Sequence, residues 1–220
     1  TINTELLKKA SRILIVAQDI LVDFASYPTK KIAQNSHEFR PLGLGYANLG
    51  TLIMMNGHPY DSDEGRAIAG LISAIMTGHA YEVSSEIAKS LETFKGYEKN
   101  ENTMMGVMQK HAESLNNDTY QLKGNQIVKK LMNEAKDCWN GVLEKGEKNG
   151  FRNSQVTVLA PTGTIGLLMD CATTGVEPAY SLVMWKKLAG GGVIPIVNQS
   201  VPHVLRQLNY TESQIESITE

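Results

Sequence analysis

The stretch LAPTGTIGLLMD, Leu159–Asp170, passes from an apolar end through a proline, a glycine and two threonines into a second apolar run. The residues just before it, SQVTVLA at 154–160, alternate in polarity and are rich in β-branched side chains, which predicts a strand. The residues after the turn predict a short helix over 164–171. A strand, a tight turn and a helix in this order favour an α/β fold over an all-helical bundle.

The turn itself has the chemistry of a phosphate site. Pro161 stiffens it, and Gly163 lets the backbone adopt angles closed to other residues. The first amide N–H groups of the helix have no partners inside the helix, and with the helix dipole they favour an anion by about 0.3–1 kcal/mol. Thr162 and Thr164 add hydroxyl donors. We therefore predict that the main chain through Ile165 binds phosphate.

A plainer interpretation of the same residues stays open. Strand-to-helix turns are common, and Thr is a frequent N-cap. The turn lacks the Gly-Lys-Ser/Thr ending of a Walker loop and the three spaced glycines of a dinucleotide fingerprint. Local chemistry alone does not decide between a phosphate site and a capped turn.

Helical periodicity dominates the rest of the chain. It predicts an amphipathic helix near the start, ended by Pro28, and a long helix after residue 61, with further helices around 103–115 and 126–148 and a helical tail from Asn198 capped at Thr211. The first helix has the apolar face Leu6, Leu7, Ala10, Ile13, Leu14, Ala17, Leu21 and Phe24. The long helix has the apolar face Ile68, Leu71, Ile72, Ile75, Met76, Ala80, Val83, Ile87 and Leu91.

Strands are few and well separated in this pattern. A second strand is predicted over 179–185, and the glycines 190–192 break it. Helices interleaved with so few strands indicate part of a parallel sheet or barrel covered by helices, because too few strands are present to close a sheet. The fold class is therefore α/β, predominantly helical, with no internal domain boundary over 1–220.

Other candidate sites are weaker. Asp61, Asp63 and Gly65 are spaced as in a calcium loop. Ile72 occupies the position of that loop's bidentate glutamate, so Asp61 is better explained as the start of a capping box. A second pair, on one face of the long helix, consists of a histidine and a glutamate at 79 and 82 without further metal ligands.

The two cysteines, Cys138 and Cys171, are too few for a disulfide framework and fit no metal motif. Cys171 follows the turn directly, which invites a catalytic interpretation. Its apolar neighbours Leu167, Leu168 and Met169 favour a buried, inert thiol instead.

Composition excludes some partners. The net charge is −2 and the pI about 6.2, with no Lys/Arg cluster, which argues against nucleic-acid binding. No apolar run approaches the roughly 20 residues that span a bilayer, and no signal peptide is recognisable, so we expect a cytoplasmic protein without a membrane partner.

Three longer stretches carry a resemblance to a known family. They are FRNSQVTVLAPTGTIGLLMDCATTGVEPAYSLVMWKKLAGGG, the earlier block RPLGLGYANLGTLIMMNGHPYDSDEGRA, and NQSVPHVLRQLNY near the end. With DILVDFASYPTKKIAQNSHEF upstream, the series covers essentially the whole chain. It closely resembles the adenosylcobalamin-dependent (class II) ribonucleotide reductases.

The resemblance implies a ten-stranded α/β barrel with a finger loop inside it, of which this chain is a partial catalytic domain. It implies removal of the ribonucleotide 2′-hydroxyl, with adenosylcobalamin generating a cysteine thiyl radical that an Asn and a Glu assist. The Pro-Thr-Gly-Thr loop of the family cradles the substrate's phosphates, which corresponds to Pro161, Thr162, Gly163, Thr164 and Ile165 here. Expected partners are a ribonucleoside diphosphate, the remainder of the reductase chain and, as in relatives, a second copy in a homodimer.

The departures from the family pattern are specific. The finger-loop Asn-x-Cys-x-Glu pattern and the redox cysteine pair are absent from the sequence, so no catalytic residue and no metal ligand is assigned in this segment. The chain is expected to be a piece that follows the radical cysteine in a longer polypeptide and to be inactive alone. The alternative is a non-catalytic nucleotide-binding or assembly module derived from the family.

Overall fold

The computed structural model describes residues 2–122, 124–187, 190–198 and 200–219, and helices dominate them. The helices are α1 (Thr4–Phe24), α2 (Lys30–Phe39), α3 (Leu49–Met55), α4 (Asp63–Leu91), α5 (Tyr97–Ser114), α6 (Gln126–Asn149), α7 (Gly163–Leu168), α8 (Val201–Gln207) and α9 (Glu212–Thr219). The strands β1 (Val183–Lys187) and β2 (Val193–Val197) form an antiparallel hairpin in which Val183 lies opposite Val197. No helix in these ranges is both long enough and apolar enough to cross a membrane.

The chain divides into two compact units, and each is assembled from two stretches distant in sequence. The first unit contains Thr1–Gly45 and Ala67–Val158, and the second contains Tyr46–Arg66 and Leu159–Glu220. The predicted phosphate turn belongs to the second unit. The prediction of a single partial barrel domain over 1–220 stays a prediction.

The core of the first unit confirms the helical periodicity of the long central helices. Seven of the nine residues on the apolar face predicted for α4 are buried, whereas Leu91 at its end is 57% exposed. In α6, Asn125 begins the helix by accepting hydrogen bonds from the amides of Ile127 and Val128. The largest fully buried side chains of the unit are Ile15, Ile68, Leu71, Ile75, Val83, Met108, Val128, Leu131, Trp139, Val142 and Phe151.

The strand predicted over 154–160 is reduced to a single parallel bridge between Leu44 and Thr157. The amide of Leu44 donates to the carbonyl of Val156 at 2.9 Å, and the amide of Val158 donates to the carbonyl of Leu44 at 2.8 Å. Strand propensity depends on neighbours across the sheet, and this segment has one neighbour over one rung. The described residues therefore hold a fragment of parallel pairing and not a full barrel.

The second predicted strand is shifted, and its partner was missed. We predicted it over 179–185, whereas β1 begins at Val183, and β2 follows the glycines that we expected only to end the strand.

The capping box predicted at Asp61 is wrong. The amide of Gly65 donates to the hydroxyl of Ser62 at 3.0 Å, and Asp61 instead pairs with Arg66. The cap predicted at Thr211 is confirmed.

The buried face of α1 is the opposite of the predicted one. Leu6, Ile13 and Phe24 are 62%, 68% and 82% exposed, whereas the buried residues of α1 are Thr4, Ser11, Ile15, Asp19 and Val22. Hydrophobic periodicity misassigned this helix, since the buried face carries a charged residue, Asp19, together with only two large apolar ones, Ile15 and Val22.

Asp19 is buried because it belongs to a hydrogen-bonded polar cluster with Arg40 and Asn153. The Arg40 guanidinium donates through Nε to Asp19 Oδ1 at 2.9 Å and through Nη1 to Asp23 Oδ1 at 2.7 Å. The Asn153 amide donates to Asp19 Oδ1 at 2.8 Å and accepts from the Ser84 hydroxyl at 2.8 Å. The cluster thus joins α1, α4 and the segment after α6 through groups that are fully paired.

Replacing Arg40 with methionine tests this cluster, since it removes the guanidinium that hydrogen-bonds Asp19 and leaves that buried carboxylate only the longer, 3.6 Å ion pair with Arg152. We expect Arg40→Met to lower the free energy of unfolding by about 3–5 kcal/mol in urea denaturation. Arg66→Met is the matched control, because Arg66 also bridges two aspartates but is exposed. It should leave stability nearly unchanged. Equal losses in the two variants would contradict a structural role for burial of the Arg40 pair.

Candidate functional site

The turn before α7 has a backbone that the sequence did not predict. Thr162 has φ 53° and ψ 32°, the left-handed conformation, and it directly precedes the first helical residue, Gly163. Gly163 does not have a positive φ. The expectation that Gly163 supplies the unusual angles is therefore wrong, because Thr162 supplies them, at a cost of about 1–2 kcal/mol for a residue with a Cβ.

Three consecutive amides at the start of α7 have no partner within the described ranges. The first amide of the helix with a partner is that of Gly166, which donates to the carbonyl of Thr162 at 2.8 Å. The N–H groups of Gly163, Thr164 and Ile165 have no hydrogen-bond acceptor among the residues that the structure describes. All three residues are exposed, and a Cβ added to Gly163 would meet no atom within 4 Å. The turn thus offers main-chain donors on an open surface.

The hydroxyl of Thr162 does not cap α7. It accepts a hydrogen bond from the amide of Gly175 at 2.7 Å, and no side chain caps the helix. The alternative of an ordinary Thr-capped turn therefore does not describe this structure. Because the Thr162 oxygen acts as an acceptor, its own proton stays available as a donor, and Thr164 has an exposed hydroxyl.

A second layer of polar contacts lies behind the turn, between the start of α3 and the segment 173–177. Asn48 Oδ1 accepts from the amide of Thr173 at 3.1 Å, and the Thr173 hydroxyl accepts from the amide of Thr51 at 3.2 Å. Thr51 and Thr173 are 5% and 4% exposed. We did not single out these residues from the sequence, since nothing in a single sequence pairs positions more than 120 residues apart.

Glu177 lies at the end of this segment and is held by two hydroxyls. Tyr180 donates to Glu177 Oε2, and Thr174 donates to the same oxygen at 2.9 Å. These two hydrogen bonds lower the pKa of Glu177 below its usual value, and the bond from Tyr180 has the larger effect. The carboxylate is therefore ionised near neutral pH and satisfied within its own segment.

The cysteines and the histidine pair show no reactive arrangement. Cys138 is buried in the first unit, and burial raises the pKa of its thiol to about 12. Cys171, expected to be buried, is partly exposed. His79 Nδ1 lies 3.1 Å from Glu82 Oε2, an ordinary polar pair as expected. Within the described ranges, no group of three or more His, Cys, Asp or Glu side chains is placed to hold a metal ion.

Comparison with known proteins places the chain in a family. The profile of the family described as "Ribonucleotide reductase, barrel domain" matches residues 1–220. The chain therefore belongs to the ribonucleotide reductase family and corresponds to its barrel domain.

The relatives have more particular names. A vitamin B12-dependent ribonucleotide reductase of Rhodopirellula baltica is 50% identical over 97% of this chain and 20% of the relative. One of Streptomyces clavuligerus is 49% identical over 99% of this chain and 22% of the relative. The ribonucleoside-diphosphate reductase subunit alpha of Helicobacter pylori is 28% identical over 89% of this chain and 24% of the relative. The chain spans about a fifth of the length of these relatives.

Gly175 gives a test of the turn's packing, since a Cβ there would lie 2.8 Å from the carbonyl oxygen of Ala160 and 3.1 Å from that of Pro161. Its φ of 46° adds strain for any other residue. We expect Gly175→Ala to lower the free energy of unfolding by about 1–3 kcal/mol in chemical denaturation. Gly163→Ala, in open space, should change it by less than about 0.5 kcal/mol. Equal effects would contradict the close approach at Gly175.

Proposed function

We propose that this chain is the phosphate-binding segment of a vitamin B12-dependent ribonucleotide reductase and that residues 161–165 bind the phosphates of a ribonucleoside diphosphate. The observation that carries the proposal is the run of three exposed amides, at Gly163, Thr164 and Ile165, for which the described part of the chain offers no hydrogen-bond acceptor. Pro161 and Thr162 complete the turn. Membership of the reductase family supports a nucleotide as the ligand.

The chemistry of the turn suits a phosphate group. Phosphate oxygens accept hydrogen bonds, and successive amides at a helix start point in one direction with the positive end of the helix dipole behind them. The hydroxyls of Thr162 and Thr164 each keep a proton that can be donated to a further oxygen. Hydrogen bonds to a charged group contribute about 1.5–3 kcal/mol each, so no lysine is required in the turn.

The reaction we propose for the longer polypeptide is reduction of a ribonucleoside diphosphate to the deoxyribonucleotide. Adenosylcobalamin would supply the radical chemistry in that enzyme. Its site is not assigned to residues of this chain. The proposed contribution of this chain is to bind and orient the substrate's phosphates, and the segment alone is proposed to be inactive.

A second candidate function, a nucleotide-binding or assembly module without catalysis, has one observation in its favour. Neither cysteine stands in the radical-cysteine pattern, and Cys138 is buried with a raised pKa. The two functions differ in a reconstitution experiment. This chain is joined to the upstream segment of a vitamin B12-dependent relative and assayed for cobalamin-dependent reduction of nucleoside diphosphates. Reduction supports the reductase, whereas a folded, cobalamin-bound protein without activity on any nucleotide supports the module.

Substitution of the two threonines tests the phosphate turn. In the joined enzyme, Thr162→Val with Thr164→Val should weaken nucleoside diphosphate binding by about 1–3 kcal/mol in titration calorimetry, because two donors to a charged group are lost. Thr103→Val, an exposed threonine on α5, is the control and should leave affinity unchanged.

The two single variants distinguish an effect on ligand affinity from an effect on the stability of the turn. Thr164→Val should weaken binding without a change in stability, since its hydroxyl is exposed and has no partner in the described residues. Thr162→Val should affect both, because it also removes the acceptor for the Gly175 amide. Unchanged affinity in the double variant would remove the phosphate assignment.

A further inference from the structure

The residue before α3, Asn48, is half-buried and hydrogen-bonds Thr173, a buried residue of the segment that follows α7. We infer that Asn48 and Thr173 are positioning residues, which set the conformation of the turn 160–165 without touching the ligand. The inference rests on the proposed function for its consequence in binding, but its structural part can be tested without a ligand.

The first step is the contact between Asn48 and Thr173. Asn48 Oδ1 accepts from the Thr173 amide at 3.1 Å and lies 3.3 Å from the Thr173 hydroxyl, which donates to it. The same hydroxyl accepts from the amide of Thr51 at 3.2 Å. Thr173 therefore uses its amide and both functions of its hydroxyl to fix its place against the start of α3.

The second step leads from Thr173 to the turn. Two residues later, Gly175 donates its amide to the Thr162 hydroxyl at 2.7 Å, while its carbonyl accepts from the amide of Leu49 at 3.4 Å. The closeness of Gly175 to the carbonyls of Ala160 and Pro161 leaves it little freedom to move. A displacement of Thr173 is therefore transmitted to Thr162.

The third step concerns Thr162 itself. Its left-handed conformation is unfavourable for a residue with a Cβ, and the hydrogen bond from Gly175 is the side-chain contact that holds it there. If Thr162 relaxes to an ordinary conformation, the directions of the next three amides change with it. The start of α3 thus determines whether the donors of the turn converge on one point.

Two substitutions remove the contact in different ways. Thr173→Val keeps the shape and removes the hydroxyl, whereas Thr173→Ser keeps the hydroxyl and should restore the native behaviour. Asn48→Gly removes Oδ1 without strain, since Asn48 has φ 69°, which glycine adopts freely. Ser84→Ala is the matched control, because Ser84 is a fully buried hydroxyl of the first unit that hydrogen-bonds Asn153.

The experiment measures two properties of the joined enzyme, amide hydrogen exchange by mass spectrometry and ligand affinity by titration calorimetry. Amide hydrogen exchange, under conditions where the protein stays folded, reports the Gly175–Thr162 bond without any ligand. Titration with inorganic pyrophosphate reports the affinity of the turn. We expect Thr173→Val and Asn48→Gly to speed exchange at Gly175 about tenfold or more and to weaken pyrophosphate binding about threefold to tenfold, whereas Thr173→Ser and Ser84→Ala do neither.

The outcomes distinguish the inference from the proposed function. Unchanged exchange at Gly175 in both Thr173→Val and Asn48→Gly overturns the positioning role, whatever the affinity. Faster exchange with unchanged pyrophosphate affinity also overturns it, since the turn would then bind the ligand independently of Asn48 and Thr173. If the joined enzyme with the native sequence binds no pyrophosphate, the proposed function fails, and hydrogen exchange alone decides whether Asn48 and Thr173 position the turn.

Discussion

The hydrogen bond from the Gly175 amide to the Thr162 hydroxyl is the constraint on which the candidate site depends. A left-handed threonine costs about 1–2 kcal/mol, and one hydrogen bond contributes about 0.5–1.5 kcal/mol, so the bond roughly offsets the strain. Because the hydroxyl accepts from Gly175, it does not cap α7, and the first three amides of that helix have no acceptor among the residues that the structure describes. The same contact therefore shapes the turn and leaves its donors available.

The first unit also contains buried polar groups that hydrogen-bond one another, in a cluster of three side chains. Asp19, Arg40 and Asn153 hydrogen-bond one another inside the core, on the face of α1 that is buried. Removing Arg40 is expected to be strongly unfavourable, because the buried Asp19 then keeps only the longer ion pair with Arg152. The buried face of this helix thus combines polar pairing with the apolar side chains of Ile15 and Val22.

Sequence patterns predicted the helices whose apolar residues repeat along the chain. They failed for segments whose conformation depends on contacts with residues distant in the sequence. The periodicity of α4 and α6 identified both helices, since burial of one face is repeated over many turns. The strand predicted over 154–160 depends on neighbouring strands, and in the described residues it forms a single bridge, between Leu44 and Thr157. The start of the helix after Pro161 was predicted within one residue, at 164 against Gly163, but the left-handed conformation of Thr162 was not, because a single sequence does not show that its hydroxyl contacts Gly175. Family membership, expected from the resemblance, is confirmed.

We propose that the main-chain amides after Thr162 bind the phosphates of a nucleotide. A crystal structure of the reductase containing this chain, with a nucleoside diphosphate bound, tests this binding most directly. We expect phosphate oxygens about 2.7–3.2 Å from the amide nitrogens of Gly163, Thr164 and Ile165. Phosphates bound elsewhere in the enzyme, with these amides hydrogen-bonded to other protein groups, would contradict the claim.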